Sequence, residues 1–287
     1  MLIAQISDTH VRAPGVLAYG RVDTAAMLAR AVAALAALDP APDLVVVTGD
    51  LVDGGAPAEY AHLRRLLAPL SAVPIVVLPG NHDERGALRA AFPAAFPGAL
   101  SLPLAPSAGA AAAWAAGVDP FLLAASEMAR WPVRIVVLDT VEPMQTHGVL
   151  CERRLAWLDA TLAAAPRQPT IVLMHHPPFV TGIAHMDELG LRSGRAEFGE
   201  AMRRHPQVQL VLCGHLHRHI AARVGGRIAM TAPSTAHQIA LDLRASVPPM
   251  YTLEPPGYLL HRWDGDANGF TSHHVAIGDF PGPYAFS

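Results

Sequence analysis

The chain has 287 residues, 52% hydrophobic and 16% charged, enough apolar material for one large domain with at most a small appendage and too much for a disordered chain. Its net charge of −3 gives no basic field for nucleic acid, and no run of about 18 apolar residues is long enough for a bilayer span, so neither nucleic acid nor membrane is an expected partner. All 21 basic residues are arginine, which excludes a Schiff-base lysine and a Walker-type phosphate lysine.

In chain order, short β-rich apolar runs at residues 2–6, 44–47, 75–78, 135–138, 171–174 and 210–212 are bounded by Pro, Asp or Gly and are predicted as buried strands. Between them, 24–38, 58–67, 84–91 and 152–164 carry apolar residues at helical spacing, with Asp23 and Asp83 as predicted N-caps. The alanine-rich stretch 105–118 reads as an insertion without chemistry. Beyond Gly214, segments 219–223 and 227–231 flank Gly225-Gly226 as a hairpin, and 237–241, 258–263 and 270–275 are further predicted strands. Pro248, Pro249, Pro255 and Pro256 make 244–257 an extended excursion, since proline removes ladder donors. Continuous apolar strands alternating with helices predict the α/β class, with a catalytic domain over 1–243 and a C-terminal part, 244–287, that completes a sheet.

The first residues run into Asp8 with neither a basic segment nor a cleavage site, so no signal peptide is expected. Two cysteines, Cys151 and Cys213, can form neither a disulfide framework nor a thiolate zinc site, and a cytoplasmic protein with reduced thiols is expected.

Metal-type ligands follow five of the predicted strands. They are Asp8-Thr9-His10, Gly49-Asp50 with Asp53, Gly80-Asn81-His82-Asp83, His175-His176-Pro177-Pro178, and Gly214-His215-Leu216-His217. Ligands of open α/β sheets bind outside the carboxyl ends of the strands, and residues i and i+2 of an extended chain share a side, so Asp8 and His10 are expected to reach one ion together. His215 and His217 are expected to face one site, or to take one ion each. Carboxylate, imidazole and amide oxygen suit Fe, Mn, Zn or Co. Any one of these residues alone would read as a turn, cap or core residue; the ordered set reads as a metal centre.

The ordered set D-x-H, GD-x-x-D, GNHD, a histidine before proline and GH-x-H resembles the calcineurin-like metallophosphoesterase superfamily. Ile6-Ser7-Asp8-Thr9-His10, Tyr19-Gly20, Met174 to Pro178 and Ala236-His237-Gln238 resemble its bacterial glycerophosphodiesterase and cyclic-nucleotide phosphodiesterase branch. The resemblance implies a four-layer αββα sandwich with two divalent ions at one sheet edge. It implies Asp8, His10, Asp50 and His217 around the first ion, and Asp50, Asn81, His175 and His215 around the second, with Asp50 shared. His82 would touch the substrate, with Asn81 beside it, and Asp83 would orient His82 or its loop. Arg12, Tyr19, His176 and His237 are expected at the substrate mouth. His147, His185, His205, His261, His273 and His274 match nothing and are expected on the surface.

The departures narrow the branch. Asp53-Gly54-Gly55 lacks the arginine that protein phosphatases of the superfamily place after this aspartate, and Asp53 stands where purple acid phosphatases carry a metal-binding tyrosine. The implied activity is hydrolysis of small phosphodiesters, glycerophosphodiesters ahead of 3′,5′-cyclic nucleotides. The alternatives are a nucleotide pyrophosphatase, a phosphomonoesterase, or a metal-stabilised interaction scaffold. A homo-oligomer is expected, with Met250 and Tyr251 of the excursion as anchors.

Overall fold

The computed structural model describes residues 1–92, 104–105, 123–126 and 131–286. Beyond Ala105, the alanine-rich stretch 105–118 lies outside the described residues. Two sheets carry the fold. In the first, β1 (Leu2–Ile6), β2 (Leu44–Val47) and β3 (Ile75–Val77) are parallel neighbours, and β15 (Gly257–Trp263) and β16 (Phe270–Ala276) continue it antiparallel on the other side of β1. In the second, β6 (Arg134–Leu138), β8 (Thr170–Leu173), β10 (Val208–Cys213) and β12 (Arg227–Thr231) run parallel. This second sheet is closed on one side by β11 (Ile220–Val224) and on the other by β5 (Leu123–Ser126) and β4 (Leu104–Ala105), all antiparallel.

Period-two alternation builds the layers. In β2, Leu44 and Val46 enter the core between the sheets while Val45 and Val47 point to the helices. In β8 and β10, Ile171, Leu173, Leu210 and Leu212 enter that same core, while Val172 and Val211 point outward. Both faces of these central strands are covered, which is why they read as unbroken apolar runs, whereas the edge strands β11 and β16 alternate with exposed residues. The outer face of the first sheet packs α1 (Thr24–Ala36), α2 (Pro57–Leu67) and α3 (Arg85–Ala91) through Leu28, Leu35, Leu63, Leu67 and Leu88. The outer face of the second packs α4 (Glu152–Ala163) and α6 (Arg195–Arg204) through Leu158, Leu162, Phe198 and Met202; α5 (Ala184–Leu189) lies at its edge. The result is the expected four-layer αββα sandwich.

Asp23 caps α1 by accepting from Ala26 N at 2.9 Å. Asp83 does not cap α3. Its carboxylate turns inward to accept from Gly80 N (2.8 Å) and Leu51 N (3.1 Å), so Glu84 takes the cap and accepts from Gly86 N and Ala87 N. The strand expected over 237–241 contracts to β13 (Gln238–Ile239), paired antiparallel with β14 (Tyr251–Thr252) inside the proline-rich excursion. The pair β7 (Gly148–Val149) and β9 (Leu191–Ser193) and helix α5 are too short to show a period, whereas α6, also not expected, does place Phe198, Ala201 and Met202 at helical spacing.

Two histidines expected on the surface are buried. His261 donates from Nε2 to Gln5 Oε1 (3.0 Å) and accepts at Nδ1 from Ser272 (2.8 Å). His205 is held by Asp159 at 2.9 Å.

Candidate metal centre

The parallel strands deliver their carboxyl ends to one edge of the sandwich, and the turns that leave them are tight. Asp8, His10, Asp50, His215 and His217 have φ of 52°, 44°, 47°, 72° and 49°. Left-handed conformations at non-glycine residues cost about 1–3 kcal/mol each and gather at functional sites. The expected extended-chain sharing of a side by Asp8 and His10 is therefore replaced by two left-handed turns that reach the same place. Gly80 is required by proximity: a Cβ there would lie 2.2 Å from Asp50 Oδ1.

Two buried donor clusters result. Asp8, His10, Asp50 and His217 offer ligand atoms all within 4.8 Å of one another. Beside them, Asn81 Oδ1 lies 3.1 Å from His175 Nε2 and 3.0 Å from His215 Nδ1, and Asp50 Oδ2 lies 3.4 Å from His175 Nε2. His215 and His217 thus go to different clusters, and Asp50 borders both.

The tautomers show what these clusters want. His10 Nδ1 donates to Asp53 Oδ1 (3.1 Å), His217 Nδ1 to His237 O (2.9 Å) and His175 Nδ1 to Thr48 O (2.8 Å). A neutral imidazole has one donor and one acceptor, so each Nε2 is left with a lone pair. His10 Nε2 and His217 Nε2 face each other at 3.0 Å, and His175 Nε2 faces two oxygens. Lone pairs directed at lone pairs need positive charge between them. Ligand atoms about 2.0–2.2 Å from one ion are roughly 3.0–3.5 Å apart at ordinary coordination angles, which is the spacing seen here. The donor set fits a pair of divalent ions, and the backbone and carboxylate partners behind the imidazoles fix ring orientation as metal-bound histidines require.

The charges agree. Burial pushes Asp8 up to about 6, only partly offset by His175. Burial also opposes ionisation of Asp50, but His175 and His82 override it and hold that carboxyl well below the usual range. Burial would lower His175, yet Asp50 raises it to about 9, so a proton on its Nε2 is the positive charge that Asp50 and Asn81 draw to this place, and a divalent ion bound there would take that proton's position.

A cavity of about 310 Å³ opens over both clusters. His10, Asp50, Asn81, His82, His215 and His217 line it, with Tyr19, His237 and Tyr251 in mutual ring contact, and Thr146, His185, Met186, Leu189 and Met250 line it as well. His82 Nδ1 donates to Asp53 O at 2.9 Å, which leaves Nε2 as its second nitrogen. Asp53 also takes Arg12 at 2.8 Å, so one carboxylate braces His10, and its residue braces His82. Asp83 does not touch His82; it fastens the turn 80–83, with Tyr60 OH donating to it at 2.9 Å, and burial pushes it up to about 7. His176 is fully buried, bonded to Thr140 (2.8 Å) and Thr146 O (3.2 Å), and lines no part of the cavity. Tyr251 stacks on Tyr19 with centroids 5.0 Å apart, so the excursion folds over its own chain's site. His185, expected on the surface, is in the cavity wall; it sits in a six-residue helix seven residues beyond Pro178, outside the motif, and no sequence signal marks it.

Residues 1–219 match the calcineurin-like phosphoesterase family. The glycerophosphodiester phosphodiesterase GpdQ of Enterobacter lignolyticus is 33% identical over 288 residues, covering 100% of this chain and 95% of the relative. The 3′,5′-cyclic adenosine monophosphate phosphodiesterase CpdA of Escherichia coli K12 is 31% identical over 236 residues, 82% of this chain and 76% of the relative. Among solved structures, a dimetal phosphatase from Danio rerio superposes with a TM-score of 0.58 at 15% identity, covering 97% of this chain and 99% of that one, a likeness of fold. Strand order, the paired donor clusters and the match over residues 1–219 agree: the chain belongs to the calcineurin-like phosphoesterase family.

Proposed function

We propose that this chain is a metal-dependent phosphodiesterase that hydrolyses small diesters, glycerophosphodiesters first. The observation that carries the reading is the cavity: it stands over two donor clusters that share Asp50, and among the described residues neither arginine nor any other permanently charged cation lines it. A diester carries one negative charge, which the ions answer; the second charge of a monoester would meet no permanently charged side chain among the described residues. When bound, two divalent ions (Fe, Mn, Zn or Co) supply charge neutralisation and activation of water.

The chain's own residues supply the rest. Asp8, His10, Asp50 and His217 would hold one ion, and Asp50, Asn81, His175 and His215 the other. His82, with Nδ1 committed to Asp53 O, presents Nε2 to hold or deliver the proton of the leaving alcohol; its 36% side-chain exposure at the cavity supports that role. Asp83 keeps the 80–83 turn in register beneath it. Tyr19 and His237 shape the mouth.

A panel of glycerophosphocholine, 3′,5′-cyclic AMP, bis(p-nitrophenyl) phosphate and p-nitrophenyl phosphate under one Mn²⁺ condition tests the reading. A higher kcat/KM on the bis ester than on the monoester is expected; the reverse order would overturn it. Cyclic nucleotides are the second reading, favoured by the Tyr19–Tyr251 stack at the mouth, since a nucleobase gains from an aromatic face. A second copy of the chain is the proposed protein partner, against exposed Met250 and Leu253; light scattering reads it. Among the described residues, no helix is long and apolar enough to cross a membrane.

A further inference from the structure

One arginine grips both sides of the short ribbon that lines the cavity. β13 and β14 have two residues each, with Ile239 paired to Tyr251 and Ala240 N donating to Met250 O at 2.9 Å. A two-stranded ribbon of this length does not hold its own shape in water. Arg218 holds it: Nη1 donates to Ile239 O (2.7 Å), and Nη2 meets Glu254 Oε2 (3.0 Å) two residues beyond β14. A planar guanidinium offers its donors in a fixed fork, which suits one group that spans two strands.

The anchored end of this grip is itself fixed. Arg218 O accepts from Thr231 Oγ1 of β12 at 2.6 Å, and the residue before it, His217, donates from Nδ1 to His237 O at 2.9 Å. Two successive residues therefore take the carbonyls of 237 and 239. His217 also belongs to a donor cluster, whereas Arg218 does not line the cavity, and both bonds of its guanidinium go to the ribbon and the segment that leaves it. What the ribbon presents is apolar and accessible. Ile239, Pro249, Met250 and Tyr251 line the cavity; Ile239 and Tyr251 are half-buried and Met250 is exposed, so area remains for a ligand to cover.

We propose that Arg218 is a positioning residue for substrate selection: by holding both sides of the ribbon it keeps Ile239, Met250 and Tyr251 where an ester group with apolar or aromatic surface packs. This rests on the phosphodiesterase reading and deepens it. The phosphate is common to every diester, so discrimination among diesters falls to the surface that meets their ester groups. The favoured class is a diester with at least one ester group large enough to cover that surface, over one whose ester groups are no larger than methyl. Releasing the ribbon costs binding of such a group and spares the chemical step.

The test compares diphenylphosphinate with dimethylphosphinate as competitive inhibitors of bis(p-nitrophenyl) phosphate hydrolysis by the metal-loaded full chain. Each carries one negative charge and two phosphorus-bound oxygens, and neither has an ester bond to cleave. Arg218→Met should keep two ions and a kcat within about two-fold of the wild type. KM for the aryl diester and the inhibition constant of diphenylphosphinate should each rise about five-fold or more, and that of dimethylphosphinate less than about two-fold. Arg218→Met combined with Tyr251→Ala should bind diphenylphosphinate no more weakly than Tyr251→Ala alone, because the arginine acts through the ribbon. Arg218→Lys, which keeps the charge but not the fork, should show part of the same split, and it carries the comparison if the methionine variant does not fold. Equal changes for both phosphinates, no change for either, loss of metal, or additive losses in the double variant would overturn the assignment. Failure of the wild type to hydrolyse the aryl diester would instead remove the phosphodiesterase reading beneath it.

Discussion

Asp50 is the residue on which both donor clusters depend, 3.7 Å from His10 Nε2 and 3.4 Å from His175 Nε2. Asp50→Ala should therefore lose metal from both positions and abolish turnover, with elemental analysis of the purified variant as the measurement; two retained ions would refute the sharing. His82 answers differently. His82→Ala should keep both ions and lower kcat about 10²–10⁴-fold, because its nitrogens lie outside the paired clusters and serve the leaving group. The ligand positions were legible in the sequence because each sits in a two- to four-residue motif beside a strand end. Their geometry was not: left-handed φ at Asp8 and His10 is a cost that only the folded surroundings impose. His185 had no signature at all, since a lone histidine acquires meaning only from the wall it joins.

At the scale of elements, the strands were readable because burial on both faces writes an unbroken apolar run, and α1 because Asp23 stands before its periodic stretch. The cap of α3 was misassigned by one residue because the neighbouring carboxylate had a stronger use. Asp83 satisfies two backbone donors of the turns that carry Asp50 and Asn81, and a sequence pattern does not say which of two adjacent acids turns inward. Those turns leave no room for a side chain at Gly80. Gly80→Ala should displace the 80–83 turn against Asp50 and weaken metal retention at the Asn81 cluster before it affects melting. Metal titration of the ion-free variant checks this; wild-type stoichiometry and affinity would show that the loop yields freely.

Across the whole molecule, the sheets are joined through a polar bridge as well as an apolar core. Gln5 donates to Cys213 O of the opposite sheet (2.9 Å) and to Thr48 (3.0 Å), and its Oε1 accepts from His261. Burial, then His219, lowers His261 from 6.5 to about 3. An unfolded chain binds that proton first, so His261 contributes stability that is intact above about 6.5 and is lost as pH falls towards 3, at up to about 1.4 kcal/mol per pH unit. Urea midpoints at pH 7 and pH 5 should differ accordingly, and the difference should shrink in His261→Gln; an unchanged difference would place the acid sensitivity elsewhere.

The position of β1 has a consequence for biosynthesis. Its carboxyl end leads into Asp8 and His10, and its two neighbours are β2, which follows soon after, and β15, whose Arg262 pairs with Leu2. A nascent chain on the ribosome must hold one bare edge of this strand until almost the whole polypeptide has emerged. Ribosome-stalled chains ending at residue 243 should therefore be aggregation-prone and unable to retain metal, while chains extended past residue 276 should acquire both protease resistance and metal together.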